Sequence, residues 1–285
     1  MINNFINKLP FFDRLVFLGG KLFIKIGSAI YGYKKLGFWQ PHYNKLETNK
    51  VAVDFDGNYF HYNHNGLQAM ARKSASDSLV FEQVILQEEY KSAIDIFLLN
   101  NIPFNTFIDL GSNIGLATLY IKKIFPLARV IALEPDENNF AVLQKNFQAN
   151  KITSATALMA GVGKKDCFLT TDERLRDNQD WSISFKEVDY ETPIVSYSIN
   201  TLLAKHALDD VDFMKIDIEG GEAAIFDKDA DVSFLARVKV LAVEIHDEFN
   251  VRDQVYAVLK NNGFMIFNST ETTIAVKRTL FERMS

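Results

Sequence analysis

FIDLGSNIGLATLY, residues 107–120, is followed nineteen residues after Gly115 by the carboxylate of VIALEP, residues 130–135. A short apolar run (Phe107, Ile108, Leu110) ends in Asp109, Gly111, Asn113 and Gly115, then passes into an apolar-periodic stretch. That is a strand, a glycine-rich turn and a helix. Backbone N–H groups at such a helix N-terminus can face a ligand unobstructed by side chains. VIALEP reads as a second buried strand ending in Glu134, placed to accept hydrogen bonds from a ribose. The pair predicts a nucleotide-type cofactor.

Outward from this unit the chain alternates regularly. Strands are predicted near 106–110, 129–134, 155–160, 211–217 and 238–245, with helices near 115–124, 137–149, 220–227 and 251–262. Two apolar runs, Phe264–Asn268 and Thr273–Val276, follow. Short strands alternating with helices argue for an open, doubly wound α/β sheet, with ligands at the carboxyl ends of the strands. Upstream, Val51 to Tyr62 alternates around Asp56-Gly57 as a hairpin, Ala71 to Ser78 reads as a polar connector, and LVFEQVILQEEY (79–90) reads as strand-to-helix, the helix running to about Asn100. The divisions are residues 1–50, a basic helical extension; 51–95, a hairpin and lead-in; and 96–285, the cofactor domain.

The formal charge of −5 is unevenly spread. Residues 1–50 hold eight Lys/Arg against Asp13 and Glu47, leaving 23 basic and 34 acidic residues in the remainder. An acidic body of net −11 argues against nucleic acid as a partner. A lone cysteine, Cys167, excludes a disulfide framework and points to the cytosol. His61 and His64 are the close histidine pair, without metal-site spacing; no metal ligand is assigned, and a metal requirement is left open because Asp217 and Glu219 do not exclude Mg²⁺. Residues 11–35 form a basic amphipathic helix, with Arg14, Lys21, Lys25, Ser28 and Lys35 on one stripe and aromatic or aliphatic residues over the rest. Its longest uncharged run, Ile26 to Tyr33, falls far short of the roughly 20 residues a spanning helix needs. Either it packs on protein or it contacts the inner face of a membrane peripherally. Oligomeric state is left open.

The glycine turn departs from the dinucleotide fingerprint. Asn113 stands where a middle glycine would let backbone approach a pyrophosphate, and Asp109 would repel that group. An acidic strand end suits an ammonium and a sulfonium instead, as in S-adenosylmethionine. With VFEQVILQEEY (80–90), FIDLGSNIG (107–115), ALEPDENNFAVLQKNFQAN (132–150), DFMKIDIEGGE (212–222) and VEIH (243–246), residues 80–280 resemble the FkbM family of S-adenosylmethionine-dependent methyltransferases. The resemblance implies a Rossmann-like, mostly parallel seven-stranded sheet, here carrying an N-terminal helical and hairpin extension. It also implies that Asp109, Gly111, Ser112, Asn113 and Gly115 hold the methionine end of the cofactor. Glu134 would bind the ribose and Pro135 would lie against the adenine. A helix-terminal carboxylate is the plainer alternative for Glu134. Ala160-Gly161-Val162 offers the adenine no carboxylate. Tyr90 is a candidate cofactor contact, with packing as its alternative.

Polar residues interrupt the fourth and fifth strands. Lys215 and Asp217 share one face of MKID, and Glu244 and His246 share one face of VEIH. Buried charges need partners, so a Lys215–Glu244 contact is expected, either as an ion pair or within an active site. Asp217 and His246 then face the cleft. His246 is the expected base for an acceptor hydroxyl, with Asp217 orienting it or acting itself, and Lys215 completes the catalytic set. Glu219 and Glu222 are either helix-terminal carboxylates or, for Glu219, a substrate contact. Trp181 lies in a segment, Thr170 to Thr192, read as a substrate lid, where it would stack on a sugar ring.

The expected activity is in-line O-methyl transfer to a sugar, glycan or polyketide-like hydroxyl, the basic N-terminus fitting a glycolipid near the membrane. The alternatives are an NAD(P)-dependent oxidoreductase, disfavoured by Asp109 and Asn113, and a non-catalytic binding module on the cofactor fold.

Overall fold

The computed structural model describes residues 42, 44–73, 75–171, 185–246, 251–269 and 271–282. The basic stretch 11–35 and Trp181 lie outside them. The chain divides into two compact units, residues 1–87 and 88–285.

The first unit carries an antiparallel meander of β1 (Ala52–Phe55), β2 (Tyr59–His64) and β3 (Leu67–Arg72). The predicted hairpin forms, with Phe55 opposite Phe60, but its reversal centres on Gly57-Asn58, one residue beyond the Asp56-Gly57 pair. Asp56 is the reason. Its carboxylate accepts the N–H groups of Asn58 and Tyr59 at 2.9 and 2.8 Å, so it opens the turn rather than occupying its centre. A second hairpin turns on Asn65-Gly66, both left-handed with φ of 51° and 85°. That dipeptide is a strong two-residue turn signal.

The stretch expected to begin as a strand is helical instead. Helix α1 (Ala75–Phe81) runs into a π-helical turn, Glu82–Leu86. Phe81, Val84 and Ile85 are buried together at helical spacing, and Asp77 anchors the helix start by accepting the Arg72 backbone N–H and guanidinium. Helical periodicity and a side-chain anchor outweigh the local run of apolar residues.

In the second unit, α2 (Lys91–Leu99) precedes seven strands in the order β13-β14-β12-β11-β4-β5-β6. These are β4 (Thr106–Leu110), β5 (Arg129–Leu133), β6 (Ala155–Leu158), β11 (Val211–Ile216), β12 (Val238–Glu244), β13 (Phe264–Ser269) and β14 (Thr272–Lys277). Five run parallel, and β14 is antiparallel to both its neighbours. Every residue of β4 and β11 is buried, as both-face coverage of a parallel strand requires. The covering helices include α3 (Leu116–Ile124), α4 (Glu137–Ala149) and α7 (Arg252–Asn261). The sheet is the doubly wound, mostly parallel one the sequence predicts.

A second sheet is new relative to that reading. The predicted third strand stops at Leu158, and β7 (Ala160–Gly163) leaves for a four-stranded sheet ordered β7-β10-β8-β9. Its other members are β8 (Cys167–Thr171), β9 (Phe185–Val188) and β10 (Ile194–Ser198), after which come α5 (Ile199–Lys205) and, beyond β11, a short α6 (Glu222–Ile225). The described ends of the expected lid segment, residues 170–171 and 185–192, therefore lie in or beside strands. No helix of the described residues is long and apolar enough to cross a membrane.

Candidate active site

The site begins where β4 ends. Gly111 takes φ of 74°, and a Cβ there would lie 1.7 Å from the carbonyl oxygen of Asp217. Glycine is required for the turn to pass the end of β11. The amides of this turn are not open to a ligand in the way expected. Gly111 and Ser112 donate theirs to the Leu133 carbonyl at 3.1 and 2.8 Å, and Asn113 donates to Glu134 Oε2 at 2.7 Å. Ser112 Oγ donates to the Asp109 carbonyl at 2.8 Å, which gives this residue a role inside the turn.

Two side-chain oxygens of the turn stand out. Asp109 is fully buried; its Oδ2 accepts from Thr118 Oγ1 at 2.7 Å, while Oδ1 has no hydrogen-bond partner among the described residues. Asn113, itself at a left-handed φ of 49°, also leaves Oδ1 buried and unpartnered. Burial holds the Asp109 carboxyl above the usual range, with Lys215 and Thr118 pulling it back.

Glu134 follows β5. Its Oε1 accepts from the Asp136 N–H at 2.9 Å and the Asn139 side-chain amide at 3.4 Å. Burial outweighs these donors and raises its pKa to about 7. The Glu134 carboxylate caps local backbone and also lines the cleft.

That cleft has a volume of about 290 Å³. It is lined by Gly111, Asn113, Glu134, Pro135 and Asn139 together with Asp217, Glu219 and the start of α6, the Asp217 backbone lying directly against Gly111. The second sheet closes one end with Gly161, Leu169, Phe185 and Glu187. A Cβ on Gly161 would come within 2.4 Å of Leu169 Cδ1, so the Leu169 side chain of β8 reaches past β10 to the bare backbone of β7. Leu169, Phe185 and Glu187 were not read from the sequence, because the sheet that presents them is irregular in pattern. Asn139 is the exception, lying five residues beyond Glu134 on α4.

The polar strand ends pair differently from expectation. Register sets Lys215 opposite Asp109 on one side and Ala242 on the other, with Glu244 beyond it. Lys215 Nζ accordingly reaches the Gly111 carbonyl at 2.6 Å, Asp217 Oδ2 at 3.1 Å and Asp109 Oδ1 at 3.6 Å. The Lys215–Glu244 contact is replaced by this set. Asp217 and Asp109 raise the lysine pKa against the effect of burial. Glu244 is pushed well up by burial and by Asp217 and Glu89.

His246 lies between two carboxylates, neither of them Asp217. Its Nε2 is 3.5 Å from Glu219 Oε2, and its Nδ1 is 3.3 Å from Glu222 Oε2. Burial opposes the charged ring, yet Glu219 and Glu222 raise its pKa to about 11. A ring so held donates at both nitrogens at neutral pH, which redirects the expectation that it accepts a proton. Glu222 is the helix-terminal acid expected, opening α6, and it is also the floor beneath His246, fully buried, with Oε1 accepting the Ile218 N–H at 3.0 Å. Atoms of Asp217, Glu219 and His246 lie within 4.8 Å of one another, close enough to share a cation. In the chain itself Lys215 and the imidazolium supply the positive charge.

The cleft thus gathers Gly111, Asn113, Glu134, Pro135, Asp217 and Glu219. Asp109, Ser112 and Lys215 sit behind the turn, Gly115 packs against Leu143 and Phe147, and His246 stands behind Glu219. Tyr90 is buried with its ring centroid 6.3 Å from that of Phe213. Its hydroxyl pKa is raised by burial and by Glu89, Asp217 and Asp109, so it neighbours the acidic cluster.

The methyltransferase FkbM domain matches residues 109–266, more than half of the chain, and the chain belongs to that family. Among characterised relatives it is 28% identical over 198 residues to methyltransferase sdnD of Sordaria araneosa, covering 58% of this chain and 76% of that one. It is 26% identical over 185 residues to Methyltransferase 1 of Beauveria bassiana, covering 58% and 74%. Among solved structures, precorrin-6y C5,15-methyltransferase from Geobacter metallireducens aligns with a TM-score of 0.37 at 14% identity, over 64% of this chain and 86% of that one. S-adenosylmethionine is the cofactor. The residues present fit it, since the orphaned oxygen of Asn113 and the carboxylates of Glu134, Asp217 and Glu219 along the cleft suit a ligand bearing an ammonium and a sulfonium.

Proposed function

We propose that this methyltransferase acts on a hydroxyl oxygen of a sugar, glycan or polyketide-like acceptor. One observation carries the reading. A carboxylate–imidazole cluster of Asp217, Glu219 and His246 stands at the carboxyl ends of β11 and β12, beside the glycine turn. A weakly acidic hydroxyl needs a proton acceptor at that place, whereas a more nucleophilic acceptor does not.

When bound, S-adenosylmethionine supplies an electrophilic methyl group on a sulfonium. Asn113 would orient the amino-acid end through its unpartnered oxygen, with Asp109 acting from behind the turn; Glu134 would take the ribose hydroxyls, and Pro135 and Leu169 would flank the adenine. Lys215 pairs with both Asp109 and Asp217 and fixes the two carboxyls at the strand ends beside the turn. Much of the rate then comes from positioning the acceptor oxygen in line with the methyl carbon.

Mass spectrometry of polar and lipid-linked glycans from cells with and without the protein tests the reading. Loss of one methyl from an oxygen supports it; an unchanged glycan and metabolite profile defeats it. A thermal-shift comparison of S-adenosylhomocysteine with NAD separates it from the oxidoreductase alternative. Cofactor binding without turnover would instead support the binding module.

A further inference from the structure

Three side chains form a graded line from the cleft inward. The Glu219 side chain is 30% exposed and lines the cleft, His246 is 14% exposed behind it, and Glu222 is fully buried behind that. The contacts follow the same order: Glu219 Oε2 to His246 Nε2 at 3.5 Å, His246 Nδ1 to Glu222 Oε2 at 3.3 Å, and Glu222 Oε1 to the Ile218 N–H at 3.0 Å. Glu219 is held in an unusual backbone state, φ of 52°, followed by Gly220 at 91°. A glutamate pays strain to sit in that region, and such strain gathers where a side chain must be aimed.

Building on the hydroxyl-acceptor reading, we propose that Glu219 is the catalytic residue that takes the hydroxyl proton, with His246 and Glu222 as its positioning residues. As the acceptor oxygen bonds to the methyl carbon, the methyl–sulfur bond breaks with its electron pair left on sulfur. The hydroxyl proton passes to Glu219 Oε1, the oxygen that the contact with His246 leaves for it. His246 contributes as an imidazolium, anchored through Nδ1 by Glu222, and fixes Glu219 from behind. Glu219, Glu222 and Glu244 all act on the ring, and Asp217 and Glu222 act on Glu219. Burial, opposed by the His246 contact and aided by Asp217, holds the Glu219 carboxyl above its ordinary range, which makes it a stronger base than a solvated carboxylate.

The test uses the full chain with histidine labelled with ¹⁵N and S-adenosylhomocysteine as the bound probe, with spectra recorded from about pH 5 to about pH 9. A His246 ring that stays doubly protonated across this range supports the proposal, as does a ring that begins to titrate within it in Glu222→Gln. A wild-type ring that turns neutral near its ordinary pKa overturns it. In parallel, transfer of labelled methyl into a polar cell extract is followed for Glu219→Gln. A loss of turnover of about 100-fold or more, with calorimetric affinity for S-adenosylhomocysteine unchanged, supports the assignment; unchanged turnover defeats it. Should the wild type transfer no methyl to oxygen, the hydroxyl reading fails and takes the base assignment with it. The spectra still decide whether Glu222 clamps a charged ring.

Discussion

Lys215 on β11 donates a 2.6 Å hydrogen bond to the carbonyl of Gly111, tying the cofactor turn to the strand that carries the acceptor-side acids. The same ammonium lies 3.1 Å from Asp217 and 3.6 Å from fully buried Asp109. Removing it strands the Asp109 carboxyl in the interior and leaves Asp217 at the cleft edge without its cation. Breaking a buried ion pair from one side costs about 3–5 kcal/mol. Lys215→Met should lower the unfolding free energy in urea by about that much, and adding Asp109→Asn should restore part of it. Additive losses in the double variant would show that the pair is not coupled.

Gly111→Ala should be among the most damaging small substitutions in the chain. The new Cβ would stand 1.7 Å from the Asp217 carbonyl oxygen, at a φ of 74°. Left-handed strain and overpacking together predict a loss of about 3 kcal/mol or more. Urea unfolding measures it, and a loss below about 1 kcal/mol would mean that the turn and β11 separate easily.

Cofactor affinity should depend on pH through Glu134. Its carboxyl titrates at about 7 in the ligand-free chain, raised by burial. Ribose hydroxyls donate to the ionised form, so binding expels the proton. Affinity for S-adenosylhomocysteine should therefore fall as pH drops below about 7, approaching tenfold per unit. Glu134→Gln should bind weakly and flatten the slope. Calorimetry at several pH values reads both, and a wild-type affinity that is flat below neutrality contradicts the role.

The His246 clamp also has a stability signature. The folded pKa, about 11, lies above the ordinary value of 6.5. The stabilisation is therefore complete below about pH 6.5 and fades as pH rises towards the folded value, by at most about 1.4 kcal/mol per unit. The stability gap between wild type and His246→Gln, followed by urea unfolding, should shrink from near-neutral to alkaline pH. A gap that widens with pH would place the ring neutral in the folded chain.

Much of this was legible before the structure. Asp109, Gly111, Asn113 and Glu134 sit on one strand–turn–helix–strand unit whose spacing is local, and the buried runs of β4, β5, β11 and β12 announce a parallel sheet. What stayed hidden depends on register and distant contacts. Lys215 was matched with Glu244 because both interrupt apolar strands, but the pairing of β11 with β4 brings it to Asp109. Glu222 resembled any acid at a helix start until β12 set His246 above it. The second sheet carries no strong alternation: β7 is Ala-Gly-Val-Gly, readable as a turn. Asn65-Gly66 was a signal available in the sequence and passed over.

Transfer of a trideuterated methyl from labelled S-adenosylmethionine to extract components, with the labelled atom located by tandem mass spectrometry, tests the central claim most directly. The account predicts label on a hydroxyl oxygen with the wild-type chain and its loss with Glu219→Gln. Label on nitrogen or carbon, or oxygen label undiminished in that variant, would contradict it.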